Sequence, residues 1–268
     1  MGILIKNILH GLVFFFFCTL CFSSVHVFAD DGELRVWDAA CGMQYASQKI
    51  AKSYFYKEQD IRYESAVQHI QEGIAEFDKN VPVVQQGILG KEQENIMKFL
   101  LSSYDKLKTI LPRPYSHENG AIVLDASESI FEAADFLAEA HLPSNRNDEE
   151  LMLGIIQRQL RLLERINKYY IANHAGNTSE DSAIQLKQSV ADFEAGVQKI
   201  NEHEKHTEAL KTSVEHINTL WPIAKDFYLG IQKRAQPVIV LAATDKLIKE
   251  LAVLEEYHKE LVLHNGKK

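Results

Sequence analysis

Three arginines at helical spacing are the side chains best suited to chemistry in this 268-residue chain. Arg158, Arg161 and Arg165 recur at i, i+3 and i+7, so one helical face would carry the three arginines. Gln159 follows Arg158 in the sequence and belongs to the same segment. A desolvated small anion needs such guanidinium donors, because burial without charge-assisted hydrogen bonds is costly. The segment therefore predicts a site for an anion or another small ligand. The alternative is a solvated basic face paired with neighbouring glutamates such as Glu164.

A second set of polar side chains lies nearer the start of the chain. Gln44, Gln48 and Lys52 recur at i, i+4 and i+8 beside apolar positions, so they also share a helical face. Together with the arginine segment they complete the candidate ligand-binding residues. The competing interpretation is a polar stripe with a structural role.

Histidines supply the candidate metal ligands. His203 and His206 lie three residues apart, Glu202 and Glu204 flank them, and His216 follows. Imidazole and carboxylate groups are common ligands of transition metals. The segment is polar, however, and it lacks the tight ligand spacing of established zinc motifs, which favours a solvated loop. The sequence therefore predicts no metal site.

Motifs of catalysis are missing from the sequence. It contains no G-x-S-x-G, no glycine-rich phosphate loop and no H-E-x-x-H. Cys41 would be the one cysteine left after removal of the N-terminal segment, and we expect it to pack as a small hydrophobic residue. These features predict a protein that is not an enzyme and that uses no cofactor.

An internal repeat organises the elements that carry these residues. Residues 75–130 recur in residues 191–247 at a shift of 116 to 117 positions; for example, the segment AEFD at 75–78 recurs as ADFE at 191–194. A breaker, LPSNRND at 142–148, separates the copies, and Asn147 or Asp148 can cap the helix that follows it. The predicted copies are residues 34–142 and 148–264.

Each copy is predicted to contain four helices and no strand. Apolar residues recur at helical spacing, as at Ile70, Ile74 and Phe77. Pro82 together with Gly87 and Gly90 is expected to separate the second helix from the third, and Pro222 predicts a kink or break in the third helix of copy two. Short connections then favour an all-α fold of two tandem up-down four-helix bundles. In the alternative, a single long bundle, one helix continues through Pro143.

The first helix of each copy resembles the motif of a known family. It reads ACGMQYASQKIAK over 40–52 and IQRQLRLLERINK over 156–168. Both segments resemble A-G-R-Q-R-M-L-S-Q-R-I-A-K, the motif of the PilJ-type sensory domain of the type IV pili methyl-accepting chemotaxis transducer. The matching residues are Ala40, Ser47, Gln48, Ile50, Ala51 and Lys52 in copy one, and Arg158, Gln159, Leu162, Arg165, Ile166 and Lys168 in copy two. Trp221 stands where such domains often have a tryptophan on the third helix, and Tyr104 corresponds to it in copy one.

The resemblance implies a periplasmic helical sensor of a small ligand. In the related nitrate and nitrite sensor kinases, arginines of the first helix hold the anion near a dimer axis. The most important of these arginines corresponds to Gln44 and Leu160 here, and neither can replace a guanidinium. Nitrate binding is therefore not expected to carry over. The two copies could still pack as an intramolecular pseudo-dimer.

A secretory signal peptide is predicted over residues 1–29. Lys6 precedes an apolar run over 11–22, and Val27-Phe28-Ala29 indicates cleavage after Ala29. The run is shorter than the ~20 residues that span a bilayer, so an uncleaved anchor is the less favoured alternative. The expected product is periplasmic or secreted. A net charge of −8 without a basic tract argues against nucleic acid as a partner.

These observations combine into one prediction of function. The chain is expected to be a non-catalytic periplasmic sensory protein that binds a small anion or other small ligand and relays this to a membrane-bound transducer. The rival class is a structural or protein-interaction module that binds no small ligand.

Overall fold

The computed structural model describes residues 25–142, 146–204, 206–231 and 233–265. These residues form eight helices and their connections, and no strand. The helices are α1 (Val25–Glu58), α2 (Tyr63–Gly87), α3 (Lys91–Ile110), α4 (His117–Glu139), α5 (Asp148–His174), α6 (Glu180–Asn201), α7 (Glu208–Leu229) and α8 (Pro237–Asn265). The prediction of an all-α fold is confirmed. Most of the predicted signal peptide lies outside the described residues. Within them, no helix combines the length and the apolar character that crossing a membrane requires.

A side-chain cap begins the first helix of the second repeat, α5, directly after the break between the repeats. The Asn147 side chain accepts hydrogen bonds from the backbone N–H groups of Glu149 (2.9 Å) and Glu150 (3.0 Å). The Glu150 carboxylate accepts in return from the Asn147 backbone N–H at 2.9 Å, which completes a capping box. Of the two predicted caps, Asn147 and Asp148, the structure shows Asn147 in this role. Because α4 ends at Glu139, the alternative of one helix that continues through Pro143 is wrong.

Two helices pass through prolines that were expected to end or interrupt them. α2 continues beyond Pro82 to Gly87, and α7 continues beyond Pro222 to Leu229. A proline removes one backbone hydrogen bond, but tertiary packing of an apolar face provides most of a helix's stability. Val84 follows Pro82 and Tyr228 follows Pro222, and both side chains are buried. The second helix therefore ends at Gly87, within the predicted separating stretch but five residues beyond Pro82. A break at Pro222 is wrong, whereas a kink there stays a prediction.

The two repeats pack their helices in the same way. In the first repeat α1 contacts α2 and α4, and α3 contacts α4; in the second, α5 contacts α6 and α8, and α7 contacts α8. In the first repeat α1 runs antiparallel to α2, since Val36 lies at Gly87 and Ile50 at Gly73. It also runs antiparallel to α4, since Gln44 contacts Asp135 and Gln48 contacts Ser127. The duplicated sequence therefore corresponds to a duplicated packing arrangement.

Equivalent aromatic pairs join the second and third helices of each repeat. Phe77 stacks on Tyr104 with ring centroids 3.8 Å apart, and Phe193 packs on Trp221 with centroids 4.2 Å apart. Both pairs are related by the shifts of the repeat, 116 for the phenylalanines and 117 for the larger rings. All four side chains are buried, so the repeated apolar pattern marks the core of each half.

The repeats meet through their first helices. α1 and α5 lie side by side and parallel: the Tyr56 hydroxyl donates to Asn167 at 2.7 Å, and the Gln157 amide donates to Asp38 at 2.9 Å. The buried apolar residues of both halves belong to one continuous core. Parallel packing of equivalent helices is the geometry of a pseudo-dimer within one chain.

A glycine on α6 leads to the first testable prediction. Gly196 faces the buried side-chain amide of Gln159, and a methyl group at Gly196 would overlap that amide. We expect Gly196→Ala to lower the free energy of unfolding by about 1–3 kcal/mol, because a packed site cannot accept the added atom without displacement. Urea unfolding followed by circular dichroism measures the change.

The matched control for this prediction is Gly154→Ala on α5. The nearest side-chain atoms to an added Cβ there lie 3.7 Å away, at ordinary contact distance. Alanine should therefore raise the stability by roughly 0.5–1 kcal/mol through its better helix propensity. Equal effects of the two substitutions would contradict the packing argument.

Candidate functional site

A cavity of about 330 Å³ lies between the two repeats. Its wall comes from α1 and α2 of the first repeat and from α5 and α8 of the second. The residues that line it are Asp38, Cys41, Gly42, Tyr45, Glu76, Lys79, Asn80, Gln157, Leu160, Arg161, Ile248, Ala252, Glu255 and Lys259. Its volume is near the lower end of the range typical of small-molecule sites, roughly 300–1,000 Å³.

Repeat-equivalent residues meet in this cavity. Cys41 corresponds to Gln157, and Tyr45 corresponds to Arg161, both at a shift of 116, and all four line the wall. The cavity therefore lies at the junction of the two first helices. Because the residues of each pair differ in chemistry, the wall is asymmetric.

Arg161 is the buried cation of the cavity. The residue is 9% exposed, and no carboxylate oxygen of the described residues lies within the 4.0 Å that defines an ion pair with its guanidinium. The guanidinium favours the thiolate of the neighbouring Cys41, but burial is the larger effect and raises the pKa of that thiol to about 11. A buried guanidinium without a paired anion is unfavourable. The cavity thus presents a strong donor for an anionic group.

The same wall also offers hydrogen-bond acceptors. Gln157 donates to the carboxylates of Asp38 (2.9 Å) and Glu255 (3.1 Å), which leaves its own Oε1 buried without a hydrogen-bond partner. Burial raises the pKa of Glu76, and Lys259 lies 3.6 Å from Asp38. The arrangement therefore suits a molecule that carries both an anionic group and a hydrogen-bond donor.

The predicted arginine segment is divided among different neighbours. Arg161 lines the cavity, whereas Arg158 is exposed and pairs with Asp192 on α6 at 3.2 Å. Arg165 is largely buried and pairs with Glu128 of α4. Gln159 is buried against Gly196. Of these four predicted ligand residues, the structure places only Arg161 in the cavity.

The predicted stripe on α1 is directed into the protein rather than into the cavity. Gln44 donates to the Asp135 carboxylate at 2.8 Å, and Gln48 donates to the Ser127 carbonyl at 2.9 Å, both on α4. Lys52 is also buried and contacts an acidic side chain of α5. The donor groups of all three side chains are thus engaged by acceptors of the protein itself.

Two buried ion pairs connect the repeats. Lys52 of the first repeat lies 2.6 Å from Glu164 of the second, and each side chain is 2% exposed. Lys168 corresponds to Lys52 at a shift of 116, is fully buried, and pairs with Glu128 of the first repeat. Each repeat therefore buries the equivalent lysine and receives its carboxylate from the other repeat.

Burial and charge pairing act in opposite directions on the pKa values of the second of these pairs. Burial alone would raise the pKa of Glu128, but Lys168 and Arg165 outweigh it and hold this pKa down to about 2. Burial lowers the pKa of Lys168 to about 8, although Glu128 opposes the shift. Both groups of the pair are therefore ionised at neutral pH.

The predicted solvated loop is wrong for two of its histidines. His206 is buried and His203 is half-buried, whereas His216 is exposed and lies 3.0 Å from Glu250. The third imidazole beside His203 and His206 belongs instead to His258 of α8. Burial and the two neighbouring imidazoles lower the pKa of His206 to about 4.

One signal in the sequence could have identified His258. Leu247, Leu251 and Leu254 form the buried stripe of α8, and His258 continues it four residues later. A histidine on the apolar stripe of a helix is expected to be buried. For the cavity residues Glu76 and Glu255 no comparable signal exists, because both belong to ordinary amphipathic patterns.

No protein-family model, no curated protein and no solved structure matches this chain. The resemblance of its first helices to the PilJ-type domain therefore stays a prediction. The function has to be argued from the chemistry of the sites.

Proposed function

We propose that this chain is a non-catalytic sensory protein that binds a small anionic molecule between its two repeats. The observation that supports this most is Arg161, a nearly buried guanidinium at the wall of a cavity of about 330 Å³ with no ion-pair partner among the described residues. A bound carboxylate or similar group would supply the missing charge-assisted hydrogen bonds.

The rest of the wall restricts the ligand further. Asp38, Glu76 and Glu255 would repel a bare anion, and the unpartnered Oε1 of Gln157 needs a hydrogen-bond donor. A small molecule with a carboxylate at one end and an ammonium or hydroxyl group at the other satisfies both conditions. Amino acids and hydroxy acids therefore fit the wall better than nitrate or nitrite.

The position of the cavity suits a sensor. A ligand there contacts α1 of one repeat and α5 of the other, so its binding energy depends on how the two repeats pack. A change in that packing is a signal that a membrane-bound transducer could detect. The predicted signal peptide supports a periplasmic location for this role.

The test is a ligand screen of the purified protein by thermal shift and calorimetry. The library contains amino acids, hydroxy acids, simple carboxylates, nitrate and nitrite. We expect a zwitterionic or hydroxylated carboxylate to bind, and Arg161→Gln to weaken its binding about 10- to 100-fold, the usual effect of losing a charged hydrogen bond.

Arg158→Gln is the matched control, because Arg158 lies one turn away on α5 but is exposed and paired with Asp192. It should leave the affinity unchanged. Binding that is indifferent to Arg161→Gln would remove the cavity from the proposal. A stable protein that binds nothing in the library would favour the protein-interaction module instead.

A further inference from the structure

Three histidines from two separate parts of the second repeat converge at one point. His203 and His206 lie in the connection between α6 and α7, and His258 lies on α8. Their ring centroids are 4.9, 5.3 and 5.6 Å apart, and one potential ligand atom of each lies within 4.8 Å of the others. This arrangement brings together residues more than fifty positions apart in the chain.

The Nε2 atoms of this cluster have no hydrogen-bond partner among the described residues. The Nε2 atoms of all three histidines are buried and make no hydrogen bond with any described residue. His258 is fully buried, and His206 is 8% exposed. Buried polar atoms are nearly always satisfied, so three unsatisfied ring nitrogens in one place indicate a ligand that accepts their lone pairs.

A carboxylate fixes the orientation of one ring. Oε2 of Glu149, in the first turn of α5, lies 2.7 Å from Nδ1 of His258. When Nδ1–H donates to this carboxylate, the Nε2 lone pair of His258 is left free. A carboxylate behind a ligating histidine is a recurrent feature of metal sites, because it sets the tautomer and raises the basicity of the ring.

We propose that His203, His206 and His258 together bind one divalent transition-metal ion, of which Zn²⁺ is the representative probe. Imidazole is a favoured ligand of such ions, and three protein ligands with an open fourth position form a well-known type of zinc site. Ligating nitrogens around a tetrahedral ion lie about 3.4 Å apart. The potential ligand atoms here lie within 4.8 Å of one another, so each of these distances needs to shorten by about 1.4 Å at most.

The metal would act as a clamp within the second repeat. It would fasten the α6–α7 connection to α8, and through Glu149 it would also hold the beginning of α5. None of its ligands lines the cavity between the repeats, so the metal site and the anion site are separate proposals.

The experiment is a titration of tag-free, metal-stripped protein with Zn²⁺ by calorimetry. We expect one ion per chain. The melting temperature should rise when Zn²⁺ is added and fall back to its metal-free value when a chelator removes the ion. Co²⁺ in place of Zn²⁺ should give the visible absorption of a tetrahedral, nitrogen-ligated ion. His206→Ala and His203→Ala should each weaken Zn²⁺ binding at least tenfold.

His216→Ala is the control, since His216 is exposed and lies outside the cluster. It should bind Zn²⁺ as the unmodified protein does. His203 is only half-buried, so its alanine variant should fold, and circular dichroism checks this. The proposal is overturned if the unmodified protein binds less than one Zn²⁺, or if folded His203→Ala and His206→Ala bind Zn²⁺ as tightly as His216→Ala.

Discussion

Replacing Glu164 by alanine is expected to lower the free energy of unfolding by about 3–5 kcal/mol, the usual cost of leaving one partner of a buried ion pair alone. Glu164 lies 2.6 Å from Lys52, and both side chains are 2% exposed. Without the carboxylate, the Lys52 ammonium stays buried with no compensating charge. Urea unfolding at neutral pH measures the loss.

Glu72→Ala is the matched control for Glu164→Ala. It removes the partner of Lys49, which precedes Lys52 by three residues, but Glu72 is 44% exposed. The remaining Lys49 ammonium is 14% exposed, against 2% for Lys52, and the removal of Glu72 opens it further to water, so we expect a smaller loss of about 1 kcal/mol. The double variant Lys52→Met/Glu164→Leu should recover much of the stability, because no buried charge remains. Losses of equal size for Glu72→Ala and Glu164→Ala would refute this explanation.

The second large loss of free energy of unfolding is expected for Glu128→Ala. This carboxylate pairs with Lys168, which is fully buried, and with Arg165, whose side chain is 13% exposed. Its removal leaves two cations close together, so we again expect a loss of about 3–5 kcal/mol at neutral pH. Asp125→Ala, one turn earlier on α4, breaks only the exposed pair with Lys106 and should cost less than about 1 kcal/mol.

The stabilisation by Glu128 should depend on pH in a defined direction. Its folded-state pKa is held at about 2, below the ordinary value of 4.5, so the unfolded chain binds more protons between these pH values. The free energy of unfolding therefore rises with pH in this window. The contribution is fully present above the unfolded pKa and is lost as the pH falls through the folded pKa.

A pH series of urea unfolding curves tests this dependence. The difference in stability between the unmodified protein and Glu128→Ala should shrink as the pH falls from about 4.5 towards 2. A difference that stays constant across that window would show that Glu128 does not titrate as its surroundings indicate.

The partners of the two buried lysines come from the other repeat, which the spacing of residues on their own helices does not predict. Lys52 was a candidate ligand residue because it lies on a polar stripe, yet its ammonium is engaged by Glu164 of the other repeat. The spacing of residues on one helix predicts which of them share a face. It does not predict what that face contacts, because the partner lies more than 100 residues away in the chain.

The sequence by itself determined the local features of this protein. Apolar periodicity predicted the helices, the repeat predicted the duplicated packing, and Asn147 was predicted as a helix cap, since each of these depends on residues within a few turns. Arg161 was also among the predicted site residues. The helices nevertheless continue through Pro82 and Pro222, because the packing of an apolar face outweighs one lost backbone hydrogen bond.

Only the tertiary structure decided which polar residues of the proposed sites lie together. Helix α5 contacts other helices on several sides, so Arg158 and Arg165 are paired with carboxylates of α6 and α4 while Arg161 remains in the cavity. In the same way, folding brings His258 to His203 and His206. Both sites depend on contacts between residues far apart in the chain, which the periodicity of a single helix cannot specify.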